Sequence, residues 1–240
     1  MTLEVIKTGS KGNSYVLKDE TFLLLEAGVS LSAVKKHIDF QLEKVEGMLV
    51  THEHLDHFKY VKQYADAGIT VCSSKETFTE YHHCYRHVNF NTVNNLGAYK
   101  FIPFRVIHDA RNPFGFFINH KNCGNVAFIT DVKKCFTKFE NLDYIIVEAN
   151  YCDKIIEKNV RSKVINPFLY NRIINSHMSI NETVEWILTN DLRNVKKIFL
   201  IHLSDKNSNA EEFVAKVKKA TGIECIAPES GSFEINKNPF

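Results

Sequence analysis

The chain has 240 residues, of which 44% are hydrophobic, 12% aromatic and 24% charged, and its formal net charge is +2. This composition excludes a mainly disordered chain, because many aromatic residues and a low net charge favour a buried core. No apolar run reaches about 18 residues and no apolar segment follows the first methionine, so neither a transmembrane helix nor a secretory signal is predicted. The six scattered cysteines favour reduced thiols and a cytoplasmic location.

The first two thirds of the chain are predicted to be rich in short strands separated by turn residues. The predicted strands are residues 3–7, 15–18, 22–26, 47–51, 69–72, 100–107, 114–119, 126–130 and 144–147. Two helices are predicted among them, over residues 58–67 with Gly68 as the C-cap, and over residues 74–86. We expect Gly9 and Gly12 to be turn residues between the first two strands.

The last third of the chain alternates helices and strands. Residues 179–182 form a capping-box pattern that begins a helix reaching about residue 189, and residues 208–211 form a second one that begins a helix reaching residue 220. Further strands are predicted over residues 197–201, 223–226 and 233–235. No repeat or linker interrupts this pattern, so the sequence predicts one mixed α/β domain over residues 1–240.

The segment from His52 to His57 carries the most informative motif. Its pattern, H-x-H-x-D-H, directly follows an apolar strand. Because alternate side chains of an extended chain point to the same side, His52 and His54 can bind one ion, and a turn brings Asp56 and His57 back beside them. Imidazole and carboxylate ligands suit zinc, and also manganese or iron.

This motif resembles that of the metallo-β-lactamase superfamily, and the resemblance covers nearly the whole chain. It implies a four-layer αββα sandwich and a site for two divalent metal ions, zinc or manganese, with later ligands at strand ends. His108, Asp131 and His202 each follow an apolar run in the required order. The resemblance implies that the first ion is held by His52, His54 and His108, that the second is held by Asp56, His57 and His202, and that Asp131 bridges the two.

His177 lies just before the capping box of residues 179–182. This position resembles the H-S-T element of tRNase Z and the G-H-L-S-type element of small bacterial and phage exonuclease-like members. There the histidine faces the scissile phosphate and assists the leaving group, a role that suits imidazole near neutral pH. The predicted catalytic residues are therefore Asp56 and His177. The alternative is that His177 only helps to begin a helix.

Two positions depart from the family pattern. Glu26 ends a predicted strand where the family has aspartate, and Tyr151 stands where the exonuclease-like branch has histidine in E-x-N-H. Glu26 can still accept a hydrogen bond from a ligand histidine. His82, His83 and His87 are predicted to lie on the exposed face of a helix rather than to form a second metal site.

A basic segment, residues 154–172, leads towards His177. Within it Arg161, Lys163 and Arg172 are predicted to bind substrate phosphates, with a solvated basic loop as the alternative. No feature reads bases, so no sequence specificity is predicted.

The predicted function is that of a dinuclear metal-dependent hydrolase, most specifically an exonuclease-like phosphodiesterase. Its substrate would be a nucleic acid or a nucleotide phosphodiester, attacked by hydroxide held between the two ions while His177 assists the leaving group. One alternative is a hydrolase of small molecules such as a cyclic nucleotide, a thioester or a lactone. Another is a binding module that metal only stabilises.

Overall fold

The computed structural model describes residues 1–237. Within them the strands form two seven-stranded sheets. The first sheet contains β1 (Thr2–Lys7), β2 (Ser14–Lys18), β3 (Phe22–Leu25), β4 (Val45–Leu49), β5 (Val71–Ser73), β6 (Tyr85–His87) and, beside β1, β14 (Gly231–Glu234). The second contains β7 (Asn94–Leu96), β8 (Tyr99–Arg105), β9 (Phe114–His120), β10 (Gly124–Ile129), β11 (Tyr144–Glu148), β12 (Lys197–Ile201) and β13 (Glu224–Ile226).

Strand direction brings several strand ends to one edge of each sheet. In the second sheet β8 and β10 are both antiparallel to β9, and β11 and β12 are parallel to β10, so these four strands share one direction. In the first sheet β3 and β4 are parallel. The residues that follow such parallel strands lie together at the carboxyl edge, where α/β proteins place their sites.

The side chains alternate between two cores, as the pleat requires. In β2, Tyr15 and Leu17 face the other sheet, whereas Val16 faces outward beneath helices. From the second sheet Phe116 and Phe128 complete the central core between the sheets. Full burial of each such apolar side chain contributes roughly 1.5–3 kcal/mol.

Helices cover the outer face of each sheet, so the expected αββα sandwich is confirmed. The helices are α1 (Leu31–His37), α2 (Leu55–Phe58), α3 (Val61–Asp66), α4 (Asp153–Arg161), α5 (Pro167–Ser176), α6 (Ile180–Leu188) and α7 (Ala210–Thr221). Val34 of α1 and Tyr64 of α3 pack on the first sheet, and Trp186 of α6 and Phe213 of α7 pack on the second. Helices α4 and α5 instead enclose a small core of their own.

Several predicted elements differ from the structure. The helix predicted over residues 74–86 is wrong: a 3₁₀ turn, Lys75–Thr77, is followed by a loop and then by β6. The ring of Phe78 stacks on that of Tyr85, with ring centroids 4.3 Å apart, and Tyr85 pairs with Val71 in the sheet. The sheet pairing and this aromatic contact prevail over local helix formation.

The other differences concern helix ends. The helix predicted over residues 58–67 is divided into α2 and α3, because the Tyr60 amide donates to the Ala27 carbonyl instead of continuing α2. The N-cap of α7 is Asn209, whose side chain accepts from the Glu212 amide, and not Ser208. The predicted capping box of Ser179 is present in α6.

Helices α4 and α5 were not predicted. Asn166 at the N-cap and Pro167 in the first turn mark the start of α5 in the sequence, but the basic residues nearby obscure its apolar face. Within the described residues, no helix combines the length and the apolar character needed to cross a membrane.

Candidate metal centre and cleft

The structure brings the seven predicted ligands to one edge of the sandwich. His52 and His54 follow β4, and Asp56 and His57 lie in α2, which begins directly after His54. The remaining three ligands follow strands of the second sheet that run in one direction: His108 follows β8, Asp131 follows β10 and His202 follows β12.

One group of donor atoms consists of His52, His54, His108 and Asp131, which lie within 4.8 Å of one another. The His54 Nδ1 and His108 Nε2 atoms are 3.1 Å apart, and the Asp131 Oδ2 atom is 3.7 Å from His108 Nε2 and 3.8 Å from His52 Nε2. Zinc bonds of 2.0–2.1 Å in a tetrahedron place donor atoms about 3.3 Å apart. The separations in this group therefore fit one shared ion.

The second group consists of Asp56, His57, His202 and the same Asp131, again within 4.8 Å. Asp56 Oδ2 is 3.3 Å from His57 Nε2 and 3.3 Å from His202 Nε2. Asp131 Oδ1 is 3.3 Å from His57 Nε2 and 3.1 Å from His202 Nδ1. Asp131 thus directs one carboxylate oxygen towards each group, as a residue shared by two ions would.

Buried atoms without hydrogen-bond partners also fit a cation. His52 is fully buried, and its Nε2 atom has no hydrogen-bond partner among the described residues. Its Nδ1 atom lies 2.8 Å from the Thr51 hydroxyl, so Nε2 is the nitrogen that remains for an ion. An unpaired buried nitrogen is costly unless a cation or another partner takes it.

Neighbouring groups orient other ligand rings. The Nδ1–H of His108 donates to the Ser176 carbonyl over 2.8 Å, which leaves the Nε2 lone pair directed at the cluster. Glu26 Oε2 is 3.4 Å from His57 Nδ1, so the Glu26 side chain is long enough to lie within ion-pair distance of that ring. Glu26, Asp131 and His202 all adopt positive φ angles of 66°, 43° and 55°, and such strain is typical of functional sites.

Burial and neighbouring charges shift the pKa values of the cluster residues. Burial lowers the pKa of His52 well below its usual range and also lowers the pKa of His108, which keeps both imidazoles neutral. Burial opposes ionisation of Asp131, but His202 and His57 hold the pKa of its carboxyl well below the usual value. Burial disfavours the charged form of His57, but the carboxylates of Asp131 and Glu26 raise its pKa. Divalent ions would displace such protons.

His177 lies at the edge of the cluster, between α5 and α6. Its Nδ1 atom is 2.9 Å from Glu148 Oε2, and the other Glu148 oxygen accepts from the Met178 amide over 2.7 Å. Burial would lower the pKa of His177, but the Glu148 carboxylate raises it to about 9. With Nδ1 on Glu148, Nε2 is the atom left to face the cavity that His177 lines.

A cavity of about 430 Å³ extends from the cluster towards α5. His54, Asp56, Asp131 and His202 form its floor. Its helical wall consists of Ile165, Leu169, Arg172 and Ile173, and its opposite wall is the loop 203–207. The cavity therefore joins ligand atoms, an apolar surface and two cationic side chains, Arg172 and Lys206.

The three predicted phosphate-binding residues are not brought together. Arg172 lines the cavity, with Nε 3.5 Å from Asp109 Oδ2. Arg161 lies on a separate surface at the end of α4, paired with Glu157 at 3.3 Å. Lys163 is exposed between α4 and α5 and does not line the cavity, although the next residue, Val164, does.

The structure also shows where Tyr151 and the histidines His82 and His83 lie. Tyr151 is buried and packs with Ile156 and Ile165 in the small core under α4 and α5. His82 and His83 lie in the loop before β6 rather than on a helix, and their donor atoms lie within 4.8 Å of one another and of Cys84 Sγ.

The two glycines before β2 form a turn. Gly9 and Gly12 adopt positive φ angles of 98° and 133°, and the Gly12 amide donates to the Gly9 carbonyl, which confirms their turn role.

Sequence reasoning missed the part played by three residues. The buried Asn13 lies 3.1 Å from His57 Nε2 through its Nδ2 atom. Glu148 holds His177, and Asn150 donates to the His202 carbonyl over 3.0 Å. The only signal for Glu148 and Asn150 was the E-x-N-H pattern of the exonuclease-like branch. The contacts of all three residues join parts of the chain that are distant in sequence, so no local pattern predicts them.

The comparisons with known proteins identify the family and the fold. Residues 23–203 match the family model described as the beta-lactamase superfamily domain. The chain belongs to the β-lactamase superfamily, and it is a metal-dependent hydrolase of that family.

Two curated relatives carry the name exodeoxyribonuclease. Exodeoxyribonuclease YycJ of Bacillus anthracis is 33% identical over 140 residues, which are 53% of each chain, so the alignment covers about half of that relative. Exodeoxyribonuclease WalJ of Streptococcus pneumoniae is 26% identical over 228 residues, covering 86% of this chain and 83% of the relative.

Solved structures of low identity share the fold. The metallo-β-lactamase fold protein YhfI of Bacillus subtilis has a TM-score of 0.71 at 15% identity, with 97% of this chain and 98% of that chain covered. The short form of human tRNase Z has a TM-score of 0.63 at 14% identity, with coverages of 98% and 99%.

Proposed function

We propose that the chain is a dinuclear metal-dependent phosphodiesterase that degrades polynucleotides, as an exonuclease. The observation that carries this proposal is the position of His177, held by Glu148 beside the two ligand groups and lining the same cavity. Hydrolysis of a phosphodiester needs a proton or a positive charge at the leaving oxygen, and His177 is placed to supply it. The relatives named exodeoxyribonuclease support a nucleic-acid substrate.

The ligand assignment is part of the proposal. One ion would be held by His52, His54 and His108, a second by Asp56, His57 and His202, and both by Asp131. When bound, two divalent ions supply charge neutralisation at the phosphoryl group and a water that ionises near neutral pH. Asp56 lines the cavity floor, so its carboxylate would contact the reacting phosphate. In this sense Asp56 is a catalytic residue as well as a ligand.

Side chains of the protein would supply the proton and contact the substrate. Glu148 keeps the His177 imidazole oriented and favours its protonated form, so that Nε2 can donate a proton to the leaving oxygen. Arg172 adds a positive charge at the same wall. The apolar side chains of Leu169 and Ile173 would pack against the nucleoside and exclude water from the reacting phosphate.

His177 also lies within 4.8 Å of Asp131, Glu148 and His202, so a role as a metal ligand is the competing interpretation of this residue. The proton-donor role is favoured because each of the two ligand groups already offers four donor residues without His177, whereas the hydrogen bond of Nδ1 to Glu148 is compatible with either role. The two roles differ in one measurable property, which is the metal content of a His177→Ala variant.

The test is hydrolysis by the metal-loaded protein, with manganese or zinc, of end-labelled single-stranded DNA, double-stranded DNA and RNA. Bis-p-nitrophenyl phosphate, a thioester and a β-lactam serve as parallel substrates. We expect cleavage of a polynucleotide and of the small diester, with products released stepwise from one end. Cleavage of the thioester or lactam with no action on any phosphodiester would overturn the proposal in favour of a small-molecule hydrolase.

A further inference from the structure

A second depression adjoins the cavity at Asp56. Its volume is about 340 Å³, and three lysines line it: Lys7, Lys11 and Lys59. We call it the lysine depression. Ser10 and Asp56 line both the lysine depression and the cavity, so the two adjoin at the edge of the ligand cluster.

The lysine depression has an excess of positive charge. Asp56 is the one acidic residue in its lining, and that carboxylate belongs to the ligand cluster. Among residues 1–237, neither Lys7 nor Lys59 has a carboxylate within ion-pair distance. Lys11 is paired with Asp205 at 2.7 Å, but both side chains are more than half exposed, and such a pair contributes little free energy.

The three lysines come from unrelated segments of the fold. Lys7 ends β1, Lys11 lies in the turn before β2, and Lys59 follows α2. None of them packs in a core, since all three are exposed. Three separate segments therefore each place a cation on the same side of Asp56, an arrangement that packing of the fold does not require.

The uncharged part of the lining suits a nucleotide chain. Leu55 is 72% exposed, and the partly exposed Tyr60 lies beside it, which offers apolar surface to a sugar or a base. The backbone at Gly28 is closely packed against α2, since a Cβ there would lie 1.8 Å from the Asp56 carbonyl oxygen. A depression that offers several cations beside apolar surface suits a strand with repeating phosphates.

We propose that the lysine depression is a second phosphate-binding subsite, which holds the backbone of a single polynucleotide strand next to the scissile phosphate, where the depression adjoins the cavity at Asp56. This inference rests on the proposed function. The subsite binds substrate and takes no part in the chemistry. A substrate with one phosphate has nothing to place there, whereas an oligonucleotide does.

The experiment compares a dinucleoside monophosphate, which contains only the scissile phosphate, with single-stranded DNA of about twelve nucleotides. The variant replaces Lys7, Lys11 and Lys59 by glutamine. A matched control replaces Lys100, Lys218 and Lys219, exposed lysines outside both linings, so the change in net charge is the same. The kcat/KM of each protein is measured for both substrates over a range of salt concentrations.

We expect the lysine-depression variant to lose about tenfold in kcat/KM on the oligonucleotide and to keep its activity on the dinucleoside monophosphate. The slope of log(kcat/KM) against log salt should fall by up to about 2, since each contact to a single strand contributes about 0.7. The control should match the wild type on both substrates.

Three results would overturn the inference. Equal loss on both substrates would mean that the lysines support the ligand cluster. No loss on either substrate, in a wild type that degrades the oligonucleotide, would remove the subsite and leave the nuclease function intact. A wild type that cleaves no polynucleotide would overturn the proposed function together with the subsite.

Discussion

The two sides of the cleft are built in different ways. The ligand cluster lies at the ends of strands from both sheets, and His52 and His57 are fully buried. The helical wall is formed by α5 and the residue Ile165 before it, and α5 packs with α4 on a small core that includes Tyr151, Ile156 and Ile165. Its outer residues are open to solvent, with Phe168 81% exposed.

This contrast teaches how one fold serves several reactions. Ligand atoms must keep their positions within a fraction of an ångström, and strand ends anchored in two packed sheets provide that rigidity. The helical wall contacts substrate and needs no such accuracy, so its sequence can differ among members. Substitutions in the ligand cluster should therefore lower the activity on every substrate, whereas substitutions in the helical wall should change substrate preference.

The largest effect is expected at Asp131, which both ligand groups share. Asp131→Ala should lose most of the bound metal and at least about 10³-fold in kcat/KM on every substrate, since several kcal/mol of metal-derived stabilisation disappear. Elemental analysis measures the metal. Asp131 has a φ of 43°, a backbone conformation that asparagine tolerates. Asp131→Asn is therefore the matched control, and we expect this variant to lose metal too. Full metal content in both variants would contradict the shared-ligand role.

His177→Ala should leave both metals bound but lower kcat on polynucleotides by about 10² to 10⁴. Bis-p-nitrophenyl phosphate has a good leaving group that needs little protonation, so its hydrolysis should fall less. The exposed His83 provides the control substitution to alanine. Loss of metal in the variant would make His177 a ligand, and an unchanged rate on both substrates would argue against the nuclease function.

Glu26 supports the cluster without belonging to the ligand set. Glu26→Gln removes the carboxylate beside His57 Nδ1 and should weaken binding of one ion about 10- to 100-fold. Activity should return at high metal concentration, which distinguishes this effect from the loss of a ligand. Titration of activity with manganese measures it, and Glu26→Asp tests whether the longer side chain is required. A titration identical to that of the wild type would show that the contact is dispensable.

The smallest effects are expected on the helical side. Arg172→Gln should raise KM for a polynucleotide about 3- to 10-fold with little change in kcat, because Arg172 lines the cavity and one lost phosphate contact is a modest cost. The double substitution Arg161→Gln and Lys163→Gln should have a smaller effect, since neither residue lines the cavity. The reverse order would place the path of the strand over α4.

Much of the fold could be predicted because its strands are short apolar runs bounded by turn residues. Strand β10 and the capping box of Ser179 are examples in which local sequence and final structure agree. The α-helix predicted over residues 74–86 does not form, because pairing of β6 with β5 outweighs the local helix propensity there. Helix α4 was missed because its buried face is reduced to Ile156, with few apolar residues to reveal a period.

The sequence by itself determined which residues are candidate ligands, through the local H-x-H-x-D-H pattern and, for His108, Asp131 and His202, through the resemblance to the family. Only the tertiary structure decided what holds them and what surrounds them. The contacts of His108 with the Ser176 carbonyl, of His177 with Glu148 and of Asn13 with His57 join segments that lie far apart in the chain. They exist because strands and helices that are distant in sequence lie side by side, with their ends at one edge of each sheet, and no local pattern encodes that packing.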